Sequence, residues 1–279
     1  MRRFVSGLVL ITALPVASMA QDNEPRGELL SAFFGLNDSR QIRIRTLPIC
    51  RGQSRGIPGD DGMPVIFSHE VDAATLDAAD FQVTTRSGEA HSADCVTLRP
   101  ADDAGELRTA LLVGEFGSQE DQPARVEIVG EIRSLDGSVN FLNAQVAVTP
   151  LENGPSLVLA ENLPPEQWTL DADGECPSEG LVSVVRAVWA GGVTKPGGDE
   201  IDAREMGLYR VTLHQPDGSV ETATPFAVGD LGDNDNNHDL CLDARGDPIS
   251  VFFPAGALTD PNEDLNPDTL IALPANRLE

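Results

Sequence analysis

The 279-residue chain predicts an all-β protein: two β-sandwich domains in tandem with little helix. Three observations carry that prediction. Short runs alternate apolar and polar residues with the period of two that a half-buried strand requires. Turn formers separate the runs, with 26 Gly and 20 Pro available for the purpose. Helical periodicity is confined to two short segments, so sheet has to pack on sheet.

Taken in order, residues 1–20 read as a secretory signal. Arg2 and Arg3 form its positive start, residues 4–16 its apolar stretch, and Ser18-Met19-Ala20 a cleavage sequence. The apolar stretch is too short to span a bilayer, and no later segment is long and apolar enough. Without a Cys at the cut, a lipid anchor is not expected. The mature chain is therefore expected in the periplasm or outside the cell, with no integral membrane segment. Residues 21–40 read as a polar tail followed by a short helix over 28–34.

A first sandwich is expected over 41–150. Its strands fall at 41–47, 64–68, 81–85, 95–99, 108–114, 125–133 and 144–149. In the first of these Ile42 and Ile44 oppose Arg43 and Arg45. A helical turn at 75–79 has Asp72 or Thr75 to cap it. The segment Pro150-Leu151-Glu152-Asn153-Gly154-Pro155 reads as a boundary. A second sandwich is expected over 155–279, with strands at 156–160, 181–189, 208–213, 220–228, 249–253 and 269–273. Gln215-Pro216-Asp217-Gly218 is suited to close a hairpin within it.

Residues 64–140 carry the runs PVIFSHEVDAATLDAADFQV, CVTLRP, RTALLVGEF and ARVEIVGEIRSLDGSVN. These resemble a bacterial Ig-like domain of the S-layer type. A strand ends in Phe67-Ser68, an acidic-Val-Asp turn follows at Glu70-Val71-Asp72, and a Thr75-Leu76 turn leads into the Phe81-x-Val83 strand. The resemblance covers just over a quarter of the chain. It implies an Ig-like β-sandwich used as a structural or adhesive module, and it carries over no catalytic residue. Cys50 and Cys95 depart from the usual pattern of such domains.

The formal charge is −26, and loss of Arg2 and Arg3 with the signal takes it to −28. That field disfavours nucleic acid and anionic lipid as partners, leaving a protein or cell-surface ligand. Four cysteines, Cys50, Cys95, Cys176 and Cys241, lie in an exported chain without any CxxC spacing, which points to disulfides rather than a thiolate metal site. Three pairings are open. Cys50–Cys95 with Cys176–Cys241 keeps each bridge within one half.

The most distinctive stretch is 230–268. It holds nine aspartates and Glu263, with Arg245 as its one Lys or Arg. Oxygen donors recur at Asp230, Asp233, Asp235, Asn237 and Asp239, and again at Asp260, Asn262, Asp264 and Asp268. Crowded like charges repel, and hard oxygen donors suit calcium. An EF-hand is excluded because His238 and Ala244 occupy the sixth and twelfth positions counted from Asp233, and Leu265 and Ile271 those counted from Asp260. A cage built from one or both loops is the expectation; Asx turns account for the same residues locally.

Other motifs are weaker. Gly52-Gln53-Ser54-Arg55-Gly56 matches a nucleophile elbow, but Ile57-Pro58-Gly59 leaves no helix to follow it. The four His form no paired motif, and the loop around Lys195 lacks the order of a phosphate loop. Trp189 ends an apolar strand and reads as core. The function expected is thus an exported, non-enzymatic binding or cell-surface structural module with a calcium site. The alternative is a secreted metal-dependent hydrolase that uses the acidic loops.

Overall fold

The computed structural model describes residues 25–37, 61–233 and 235–274. The expected signal, the strand expected at 41–47, Cys50 and the Gly52–Gly56 motif lie outside the described residues. Among those described, strands dominate, and the α-helix is the single turn Ala203–Met206.

The N-terminal sandwich contains β1 (Leu29–Phe33), β2 (Asp61–Phe67), β3 (Phe81–Thr85), β4 (Ala90–Ser92), β5 (Cys95–Thr97), β6 (Thr109–Gly114), β7 (Pro123–Ile128) and β8 (Gln145–Thr149). Their order is β4-β3-β7-β8-β1-β2-β6-β5. The turn between the two layers is made by β8, which pairs antiparallel with β7 through Gln145–Ala147 and parallel with β1 through Val148 and Thr149. Inward residues of β2 and β6 then face those of β3 and β7 across one core. Phe67 meets Phe81 edge-on at 6.3 Å and Phe141 at 4.8 Å. Before β3, a 3₁₀ turn at Ala73–Thr75 is capped by Asp72, which accepts from the Ala74 N–H.

Residues 28–34 are not the helix expected. Leu29–Phe33 is a strand flanked by β2 and β8, buried on both faces, so its apolar run carries no alternation that would mark it as one.

The C-terminal sandwich packs two four-stranded sheets. One has the order β13 (Ala227–Gly229), β14 (Asn237–Leu242), β10 (Ser183–Trp189), β9 (Leu157–Leu163); the other β12 (Val220–Ala223), β11 (Arg210–His214), β15 (Asp247–Phe253), β16 (Thr269–Ala272). Trp189, Tyr209, Val211, Leu240, Val251 and Phe253 fill the space between. The hairpin β11–β12 closes at the expected turn, where Gln215 N–H donates to Ser219 O. The run expected over 220–228 is broken into β12 and β13, which belong to different sheets.

The outer face of the β13-β14-β10-β9 sheet is also covered. Cys176 and Cys241 are joined in a disulfide that packs on Val184 and Leu163. Cys95 is disulfide-bonded too, though the expected partner, Cys50, is outside the described residues. Beyond the disulfide, the loop between β5 and β6 of the N-terminal sandwich lies against the same face. This second cover explains why every residue of β14 is buried.

Candidate metal centre at the junction of the sandwiches

In an extended strand alternate side chains share a face. In β14, His238, Leu240 and Leu242 therefore point one way and Asn237, Asp239 and Cys241 the other. On the inner face, the Trp189 indole N–H donates to the Tyr209 hydroxyl at 2.8 Å, and that hydroxyl contacts His238 Nδ1 at 2.6 Å. Burial pushes the His238 pKa down to about 4, so the ring is neutral and shares this hydrogen bond with Tyr209 as an uncharged partner.

On the outer face Arg186 of β10 stands opposite Asp239 in the ladder. Its Nε and Nη2 donate to the two Asp239 oxygens at 2.8 and 2.9 Å. Nη1 donates to Gly105 O at 3.1 Å, and Nη2 lies 2.9 Å from Glu106 Oε1. Arg186 is 4% exposed. Burial opposes its charge, but the hydrogen bonds and charge of Asp239, then the charge of Glu106, hold its pKa above the ordinary value. The counter-ion to the acidic stretch is thus Arg186, from a strand far away in sequence, rather than Arg245, which is exposed. Gly105 has φ +92°, and a Cβ there would lie 3.3 Å from Arg186 Nη1. The loop reaches Arg186 because it has glycine at that point.

Beside this pair, Asp103 and Glu106 from the N-terminal sandwich meet Asp230 and Asp233 from the C-terminal one. Each offers a carboxylate oxygen, and the four oxygens lie within 4.8 Å of one another. Glu106 is 2% exposed and Asp230 9%. Each keeps one oxygen (Glu106 Oε2, Asp230 Oδ2) buried without a hydrogen-bond partner. Burial, then the charges of Asp235, Asp239 and Asp103, raise Glu106 to about 8 against the lowering pull of Arg186. Burial, then Glu106 and Asp239, raise Asp230 to about 9. Asp233 is raised chiefly by burial, and Asp235 well above the usual range by burial, then by Asp230 and Asp233. Two unit charges at that spacing repel by roughly 3 kcal/mol at an effective dielectric of about 20.

The backbone holds Asp230 in place. Its φ is +63°, an uncommon conformation for a residue other than glycine. Leu231 N–H donates to Gly174 O at 3.1 Å, and Gly229 lies so close to the disulfide that a Cβ there would be 2.7 Å from Cys176 N. The disulfide thereby anchors the turn that presents Asp230.

Of the residues singled out in sequence, Asp230 and Asp233 come together here. Asp235 instead accepts from the Asn237 N–H and Nδ2, and Asp239 is engaged by Arg186. The second loop forms its own turn: Asp260 Oδ1 accepts from the N–H groups of Asn262 and Asp264, and Asp268 caps Ala255 N–H. Asn262 Nδ2 donates across the junction to Gly35 O at 2.6 Å. Burial raises Asp260 to about 6, and its Oδ2 is buried without a partner. Asp103 and Glu106 escaped the sequence reading; the run Asp102-Asp103-Ala104-Gly105-Glu106 was the signal available.

The donor set fits a hard divalent ion. Calcium takes oxygens at about 2.3–2.6 Å, so opposite oxygens of its shell lie about 5 Å apart. Four carboxylates within 4.8 Å match that span and offer charge in excess of the two units needed.

No protein-family model matches the sequence, and no curated protein matches it. Among solved structures, the N-terminal part of the bacterial S-layer protein SbsC aligns at 11% identity and TM-score 0.28, over 89% of this chain and 44% of that one. Native alpha-2-macroglobulin from Escherichia coli, spanning domains MG0-NIE-MG1, aligns at 13% identity and TM-score 0.24, over 78% of this chain and 68% of that one. The chain therefore spans less than half the length of the S-layer structure it matches, and no family is assigned from likenesses this distant.

Proposed function

We propose that this chain is an exported, non-enzymatic structural or binding module of the cell surface or periplasm, with a structural calcium ion held by Asp103, Glu106, Asp230 and Asp233. One observation carries the metal: Glu106 and Asp230 each hold a buried carboxylate oxygen without a partner inside a four-carboxylate cluster. A buried unpaired carboxylate is costly unless a proton or cation compensates it. The Ig-like resemblance of 64–140, the signal-like residues 1–20 and the Cys176–Cys241 disulfide support the exported module. Its partner is a protein or cell-surface ligand.

Elemental analysis of the mature protein, followed by calorimetric calcium titration of chelator-treated material, tests the reading. One calcium per chain is expected, with a dissociation constant in the roughly micromolar-to-millimolar span of extracellular modules. Joint Glu106→Gln and Asp230→Asn substitution should abolish it. Absence of metal from purified protein, together with no heat at millimolar calcium, would remove the reading.

A further inference from the structure

The four carboxylates are divided two and two between the sandwiches. We infer that the cation is a latch: its occupancy sets whether the two sandwiches are held as one rigid body or turn on the segment between them. The inference rests on the calcium reading and adds a role for that site.

Among the described residues the chain crosses once between the two cores, through residues 150–156. Relative orientation therefore depends on ties made by side chains. Arg186 reaches Gly105 O and Glu106, Arg108 Nη2 donates to both oxygens of Glu161 at 3.1 Å, and Asn262 reaches Gly35 O. Phe33 and Pro64 pack against Gly191, where a Cβ would lie 3.0 Å from Phe33 Cδ1.

At one place these ties are opposed. Arg186 supplies a single positive charge, and both oxygens of Asp239 already engage it. Glu106 and Asp103 then face Asp230 and Asp233 across the boundary, so the acids of one sandwich repel those of the other wherever both are ionised. An ion among them reverses the sign of that contact, turning four crowded acids, which without it must repel one another or hold protons, into ligands of one centre. Asp103 is exposed, so exchange with solvent calcium is open on that side.

Small-angle X-ray scattering of the full mature chain, in calcium and in EGTA, tests the latch alongside calorimetry on the same samples. EGTA should increase the radius of gyration and broaden the distance distribution, and calcium should restore both. Asp103→Asn should shift the calcium midpoint of that change upward by about tenfold while leaving each core folded. Calcium bound at one per chain with scattering unchanged would overturn the latch and leave the site standing. No calcium uptake at all would overturn the site and the latch with it. Asp233→Asn, which removes a ligand from the opposite side, should give the same shift. A shift for one variant but not the other would place the ion on a single sandwich and overturn the latch.

Discussion

Arg186 sits directly across the ladder from Asp239 and grips both of its carboxylate oxygens, with both side chains about 5% exposed. The same guanidinium ties the sandwiches by way of Gly105 and Glu106. Deleting one partner of a buried pair leaves an unpaired buried charge, which typically costs about 3–5 kcal/mol. Arg186→Ala should therefore destabilise the C-terminal sandwich by about that much in urea unfolding. Arg186→Lys should recover only part of the loss, because an ammonium cannot reproduce the two-pronged contact. An Arg186→Ala loss of less than about 1 kcal/mol, as for an exposed pair, would show the contact to be a surface one.

The raised pKa values of Glu106 and Asp230 fix a direction for the metal-free protein. A carboxyl raised to about 8 or 9 in the folded state and near 4 when unfolded keeps its proton only in the folded form between those values. The folded state binds more protons there, so stability falls as pH rises from about 4 to about 9. In EGTA the melting temperature should decline across pH 6–9. Saturating calcium, which takes the place of those protons, should flatten the decline or reverse it. A melting temperature that rises with pH in EGTA would contradict the burial of these two groups.

Much of the fold was legible because its strands are half buried. Phe81–Thr85 and Arg210–His214 alternate as the pleat demands, and both strands are present. Two elements were hidden for one reason, burial on both faces. Leu29–Phe33 is apolar except for Ser31, which is itself buried, so it shows no alternation. Asn237–Leu242 shows oxygen donors at alternate positions that belong to the pleat, one of them satisfied by Arg186. The polar alternation that suggested a ligand loop was therefore in part a strand covered by a second sandwich. Asp230 and Asp233 stood out by charge density. Glu106 did not, because what distinguishes it is a neighbour brought near only by the tertiary fold.

His238 gives a second titration with the opposite sign. Its pKa is depressed to about 4 by burial, against 6.5 in the unfolded chain. Between those values the unfolded state takes up the proton and the folded state does not, so stability falls as pH drops from about 6.5 to about 4. The loss is on the order of 3 kcal/mol if the ring stays fully neutral. The carboxylates slope the other way over this range, so the contribution is read as a difference between variants. His238→Gln, which still offers Tyr209 a hydrogen-bond partner, should be more resistant than wild type to acidification below pH 6 in urea unfolding. Equal acid sensitivity of the two proteins would mean that His238 is charged inside the fold.

The disulfide acts at two distances from the site. Cys176–Cys241 closes a span of 65 residues, for which the chain-entropy account gives about 4 kcal/mol. It also positions Gly229 and, through Leu231 and Gly174, the left-handed turn at Asp230. The double substitution Cys176→Ser with Cys241→Ser should lower the stability of the C-terminal sandwich and also weaken calcium binding, although neither cysteine is a ligand. Gly229→Ala separates the two effects. It keeps the covalent bridge but forces a Cβ to within 2.7 Å of Cys176 N, so the adjoining turn has to shift. Its calcium affinity should fall several-fold in the calorimetric titration, with a smaller loss of unfolding free energy than the double variant shows. Unchanged affinity in Gly229→Ala would mean that Asp230 does not depend on the bridge for its position.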